Sequence, residues 1–185
     1  MRIFTFIVLS FLAVNVMGQE INWVSWSEMV ELQKQERKKV FVDVYTDWCG
    51  WCKKMDAGTF KDPSVVNTMN QYYYAVKLDA EMKDTIQYNG MMFVNMNPNK
   101  KRGVHTLAVS LLNSKMSYPS FVILDENLSR NLIISGYQQV PDLLGNLLFF
   151  GTNQHIRLKE YEKQQEQALK QAAQQAQEKN TASPK

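Results

Sequence analysis

The sequence predicts an α/β fold, a central mixed β-sheet flanked by helices, on three observations. Val40-Phe41-Val42-Asp43-Val44-Tyr45 is an almost unbroken apolar run with no alternation, as a central strand covered on both faces requires. Segments with apolar residues at helical spacing alternate with such runs along the chain. Phe121 to Leu124 and Leu132 to Ile134 flank the turn cluster Asp125-Glu126-Asn127, which reads as an antiparallel hairpin.

The elements follow in order. Ile21-Asn22-Trp23 is a short edge strand. Ser25-Trp26-Ser27-Glu28 forms a capping box, with Ser25 as N-cap and Glu28 three positions on. Trp26, Met29 and Val30 then share one helix face, and both Trp23 and Trp26 read as core anchors. A helix from Cys52 onward breaks near Gly58. Asp62 caps the next one, with Pro63 in its first position and Val65, Val66 and Met69 facing inward. Tyr72 to Leu78 is rich in aromatic and β-branched residues and reads as a strand. Asn89-Gly90 between Thr85–Tyr88 and Met91–Val94 is a type I′ hairpin signal, leaning on the domain through Met91, Phe93 or their neighbours. Asn95 to Gly103 follows as a polar, basic loop, and Lys100-Lys101-Arg102 reads as its solvated part. Leu107 to Leu112 is helical, with His105 a polar residue at its start. Val140 to Phe150 is the last core helix, turning Leu143, Leu144, Leu147 and Leu148 inward.

Both ends differ in character. Residues 1–18 have Arg2 before an apolar run and a small residue, Gly18, at the end, which predicts a cleaved secretory signal. Residues 152–185 hold eight glutamines and too few apolar residues for a coiled coil, so a solvated helical tail is expected, with Asn180 to Lys185 disordered. Residues 19–151 form the domain between them, with an insertion at about 81–104. The net charge of 21 − 18 = +3 gives no strong pull toward nucleic acid.

The chemistry concentrates in Cys49-Gly50-Trp51-Cys52, which holds the two cysteines of the chain. A strand that delivers this motif to a helix start sets the first thiol beside unpaired N–H groups and the positive end of the helix dipole. Both favour the thiolate, the reactive species; lowering its pKa from about 8.5 to about 7 raises its share at neutral pH from roughly 3% to roughly 50%. Two plainer uses stand beside redox chemistry. A structural disulfide across so small a loop adds little stability. A zinc half-site lacks a second cysteine pair, and His105 and His155 are far apart in sequence, so no metal site is assigned.

Phe41 to Lys53, with Asp43 six residues before Cys49, resembles the active-site stretch of the thioredoxin-like family. Val76-Lys77-Leu78-Asp79 is similar to the family's next core strand, and Tyr118-Pro119-Ser120-Phe121-Val122 to its cis-proline segment. Thr59 to Val65 resembles exported bacterial members. The resemblance implies a thioredoxin-like fold extended by the hairpin and the helical tail. It implies that Cys49 is the exposed attacking thiol and that Cys52 resolves the mixed disulfide. It implies that Asp43 is a buried proton acceptor with Lys77 beside it, and that Pro119 is cis and faces the dithiol. Trp48, Gly50, Trp51 and Tyr118 bracket these groups and are the candidate substrate contacts.

The activity so implied is thiol–disulfide exchange on protein disulfides, in the reducing direction, by a monomer in the periplasm or outside the cell. It needs no cofactor, and a membrane-embedded electron donor would recharge it. Gly50-Trp51 stands where cytosolic thioredoxins have Gly-Pro, which leaves the direction open to oxidase or isomerase. A binding or chaperone module on the same fold is the non-enzyme alternative. The hairpin and its loop lie outside the minimal fold; they either extend the core or flank the substrate side of the dithiol.

Overall fold

The computed structural model describes residues 19–181. Five strands make the main sheet: β1 (Trp23–Val24), β2 (Lys39–Tyr45), β3 (Tyr73–Asp79), β6 (Ser120–Leu124) and β7 (Arg130–Ser135), in the order β1-β3-β2-β6-β7. β1, β3 and β2 run parallel, while β6 is antiparallel to β2 and β7 to β6, so the sheet is mixed with β2 at its centre. A two-stranded hairpin, β4 (Ile86–Tyr88) and β5 (Met91–Phe93), stands apart from it. The helices are α1 (Trp26–Gln35), α2 (Gly50–Ala57), α3 (Pro63–Tyr72), α4 (Thr106–Leu111), α5 (Val140–Gly151) and α6 (Gln154–Thr181).

Strand alternation sorts the core into two layers. Val40, Val42 and Val44 pack with Trp26 and Met29 of α1 and Leu107 and Leu111 of α4. Phe41, on the other face, packs with Met55 of α2, Val66 of α3 and Leu143 of α5. Asp43 follows Phe41 by two positions and therefore points to the α2 side. Lys77 is its register partner on β3 and shares that side. Burying each large apolar side chain of this kind contributes about 1.5–3 kcal/mol.

Local signals set the ends of the elements. The Ser25 hydroxyl accepts from the Glu28 N–H, and the Asp62 carboxylate accepts from Ser64 and Val65. Asn89 and Gly90 have φ of 50° and 73°, the two left-handed positions of a type I′ turn. His105 caps α4: its Nδ1 accepts from the Leu107 N–H and its Nε2 lies 3.0 Å from the Asp84 carbonyl. Burial lowers its pKa, against the backbone contacts with Asp84 and Phe93 and the charge of Asp84.

Four expectations need correction. The edge strand is Trp23–Val24, because Ile21 turns into the core instead of pairing. Of the expected hairpin anchors, Phe93 packs as expected, joined by Ile86 and by Tyr88, which meets Trp26 edge-on, but Met91 stays exposed. Asn180 and Thr181, expected to be disordered, close α6. The tail is also not wholly solvated, since His155 is buried against Phe149 and Phe150. The proposed signal, residues 1–18, and residues 182–185 lie outside the described residues.

Candidate active site

Cys49 and Cys52 are joined by a disulfide at the start of α2. Cys49 is the N-cap, and its Sγ accepts from the Cys52 N–H at 3.1 Å. The first thiol thus sits where a helix offers an unpaired donor to a negative charge. In this disulfide form Cys49 is 4% exposed and Cys52 2% exposed. The expected contrast between an exposed and an inner thiol is therefore small in the disulfide form, where one bond holds the two sulfurs together. Trp48 and Trp51, at 50% and 57% exposure, are what the site presents to solvent.

Each tryptophan is held by its neighbours. Trp51 packs against Tyr137 at 5.5 Å, and the Lys54 ammonium lies over both rings. Trp48 meets Tyr118 edge-on at 5.8 Å, and its Nε1 donates to Glu81 Oε1 at 2.8 Å. The Arg102 guanidinium lies over the Trp48 ring at 4.5 Å. The Tyr118–Pro119 bond is cis. Through its contact with Trp48, Tyr118 brings the start of β6 to the residue that precedes Cys49. Burial, and then Glu81 and Asp79, push the Tyr118 hydroxyl up to about 12.

Behind the dithiol is a buried charge cluster. Asp43 is 1% exposed, and Lys77 Nζ donates to its Oδ2 at 2.7 Å. Asp43 Oδ1 has no hydrogen-bond partner among the described residues. Burial pushes the Asp43 carboxyl up to about 6; Lys77 opposes this, and the charge of Asp56 adds to it. Lys77 also bonds the Asp56 carboxylate and is ringed by Trp23, Tyr45 and Phe60. Burial works to lower the Lys77 pKa, but the two carboxylates outweigh it and leave it raised.

The structure thus brings Trp48, Gly50 and Trp51 around the disulfide, Tyr118 and Pro119 to one rim through Trp48, and Asp43 and Lys77 together. Asp56, Glu81 and Arg102 were missed. Asp56 follows Cys52 by four residues, one helical turn, so it shares a face of α2 with that cysteine; that spacing was the available signal. Glu81 and Arg102 carried none, because loop residues have no periodicity that reveals where they point. The loop between β5 and α4 reaches Trp48, the residue before the dithiol, whereas the hairpin extends the core against α1 and α4. No group of three or more metal-ligating side chains occurs among the described residues.

A family model described as "Protein of unknown function, DUF255" and named Thioredox_DsbH matches residues 10–179. The chain belongs to this family. Its fold is thioredoxin-like, and the Cys-x-x-Cys disulfide supports thiol–disulfide redox chemistry. Among curated relatives of this Thioredox_DsbH member, the thiol:disulfide interchange protein DsbD of Vibrio vulnificus (strain CMCP6) is 36% identical over 59 residues, 29% of this chain and 10% of that protein. Spermatogenesis-associated protein 20 of Rattus norvegicus is 27% identical over 75 residues, 40% of this chain and 10% of that protein. The chain spans about a tenth of the length of the curated relatives it matches. A thioredoxin-fold protein from Helicobacter pylori superposes with a TM-score of 0.51 at 14% identity, covering 71% of this chain and 74% of that one.

Proposed function

We propose that this protein is an exported thiol–disulfide oxidoreductase that reduces disulfides of protein substrates. The observation that carries the reading is a Cys-x-x-Cys disulfide capping α2, with Cys49 Sγ on a helix N–H and two exposed tryptophans beside it. In the reduced protein the Cys49 thiolate attacks one substrate sulfur. A mixed disulfide forms, and the first substrate thiolate leaves. Cys52 then attacks Cys49 Sγ, expels the second substrate thiolate and closes the disulfide; two electrons pass to the substrate. Asp43 accepts the Cys52 proton, and its raised pKa sets the base near working pH. Lys77 keeps the ionised form accessible, and Pro119 with Tyr118 lines the substrate side.

The apolar leader at residues 1–18 and the DsbD relative support an exported site of action. Such a site requires an electron donor across the membrane, since two cysteines hold one pair of electrons. No helix among the described residues is long and apolar enough to cross a membrane. Turnover of a protein disulfide under a chemical reductant tests the activity. Wild type is expected to turn over, and Cys49→Ser to lose at least about a hundredfold; equal rates would overturn the reading. Titration of the pair against glutathione tests the direction. A potential more reducing than about −220 mV fits a reductase, and one near −120 mV an oxidase.

A further inference from the structure

The loop between β5 and α4 is built to hold one arginine against the rim of the dithiol. Asn95 is buried, and its Nδ2 donates to the carbonyls of Glu81, Met82 and Gly103. Its Oδ1 accepts from the Asn97 N–H. Gly103 closes the loop where a side chain does not fit: a Cβ there would lie 2.1 Å from the Asn97 carbonyl oxygen. Arg102, just before it, has a φ of 65°, a left-handed conformation uncommon outside glycine. This backbone sets the guanidinium 4.5 Å over the Trp48 ring. Trp48 is pinned by Glu81 and Tyr118.

A guanidinium held over a ring by its charge still has N–H groups to offer a planar acceptor. No hydrogen bond or ion pair among the described residues uses those of Arg102. Three carboxylates lie at this rim: Glu81, which accepts from the Trp48 indole, Asp79, whose charge acts on Tyr118, and Asp47, whose charge acts on Asp79. Lys83, Lys100 and Lys101 line the same open cavity of about 400 Å³ and form no ion pair among the described residues. The cavity wall therefore carries three unpaired lysines, with the Arg102 guanidinium where it meets Trp48.

We propose that Arg102, stacked on Trp48, is a specificity residue that takes a carboxylate of the protein substrate, selecting disulfides with an acidic residue next to the cysteine. The inference rests on the disulfide-exchange reading above. The two parallel N–H groups of a guanidinium edge match a carboxylate, which makes this pairing stronger and more directional than a lysine contact. The three lysines add a field that draws an acidic segment toward the rim and that salt screens.

Two peptide disulfides test it, both acetylated and amidated, identical except for Glu or Gln beside the cysteine. Wild type is expected to favour the Glu peptide about tenfold in kcat/KM at low salt. Arg102→Gln should bring the ratio near one by slowing the Glu peptide, and Arg102→Lys should keep part of it. Equal rates on the two peptides with wild type would overturn the proposal. So would an Arg102→Gln protein slowed equally on both, which reduces Arg102 to a brace for Trp48. If wild type reduces neither peptide, the exchange reading fails, and fluorescence anisotropy of the same labelled peptides decides the surface. Tighter binding of the Glu peptide, lost in Arg102→Gln, supports the carboxylate site; equal binding overturns it.

Discussion

Asp43 and Asp56 show how one lysine can serve two carboxylates of different standing. Asp43 is sealed in the core and Asp56 is about half exposed, with Lys77 Nζ bonded to both. The charge of Asp56 raises the Asp43 pKa and also competes for the ammonium. Asp56→Asn should therefore lower the Asp43 pKa, and Lys77→Met should raise it. A ¹³C carboxyl titration by NMR reads both; shifts in the same direction would refute the arrangement. The base form of Asp43 exists above about 6, so the step that uses it should slow as pH falls through that value. Stability runs the other way. The folded state holds the Asp43 proton to about 6 and the unfolded chain to its ordinary value of 3.8, so stability falls as pH rises between them and the loss is complete above. Asp43→Asn should remove that loss and stabilise the protein at pH 8 by on the order of 1–3 kcal/mol, read by denaturant unfolding. An unchanged or lower stability at pH 8 would contradict it.

At the scale of elements, the loop after the hairpin and the start of the tail matter more than their composition suggests. Asn95 satisfies three backbone carbonyls and one N–H, so Asn95→Ala should cost about 2–4 kcal/mol and release Arg102 from Trp48. Thermal unfolding and the Trp48 emission check the two halves of that statement. The first turn of the tail packs, through His155 on Phe149 and Phe150. Ending the chain after Arg157 should leave stability within about 0.5 kcal/mol, while removing residues from 152 onward should cost about 1–2 kcal/mol. A large fall from the shorter truncation would show that the exposed helix docks on the domain. These elements were legible to different degrees for physical reasons. Ser25, Asp62-Pro63 and Asn89-Gly90 act on their own neighbours, and local chemistry is readable from order alone. Ile21 turning inward and Met91 turning outward depend on tertiary partners, which order does not contain.

For the whole molecule, β2 is the element from which the rest can be read. Its unbroken apolar run marked it as central, and its register with β3 and β6 brings Lys77 to Asp43 and Pro119 to the dithiol end. The pairing of Asp43 with Lys77 was legible through the family resemblance of the two strands, and the β2–β3 register sets the two residues side by side. The Trp48–Glu81–Arg102 rim was not, because three separate segments meet there without any shared spacing. The two layers of core cover both faces of β2, the central strand, and α2 begins just beyond its end, so the dithiol is presented from the middle of the sheet with the rim added from the loop.

The central claim is that Cys49 attacks and Cys52 resolves. Cys52→Ser removes the resolving thiol and should trap the substrate on Cys49. The measurement is mass spectrometry of Cys52→Ser after reaction with a disulfide-bonded protein. The account predicts a stable covalent complex, cleaved by dithiothreitol, with its cross-link mapped to Cys49. No complex with Cys52→Ser, together with a stable one through Cys52 in Cys49→Ser, would contradict it.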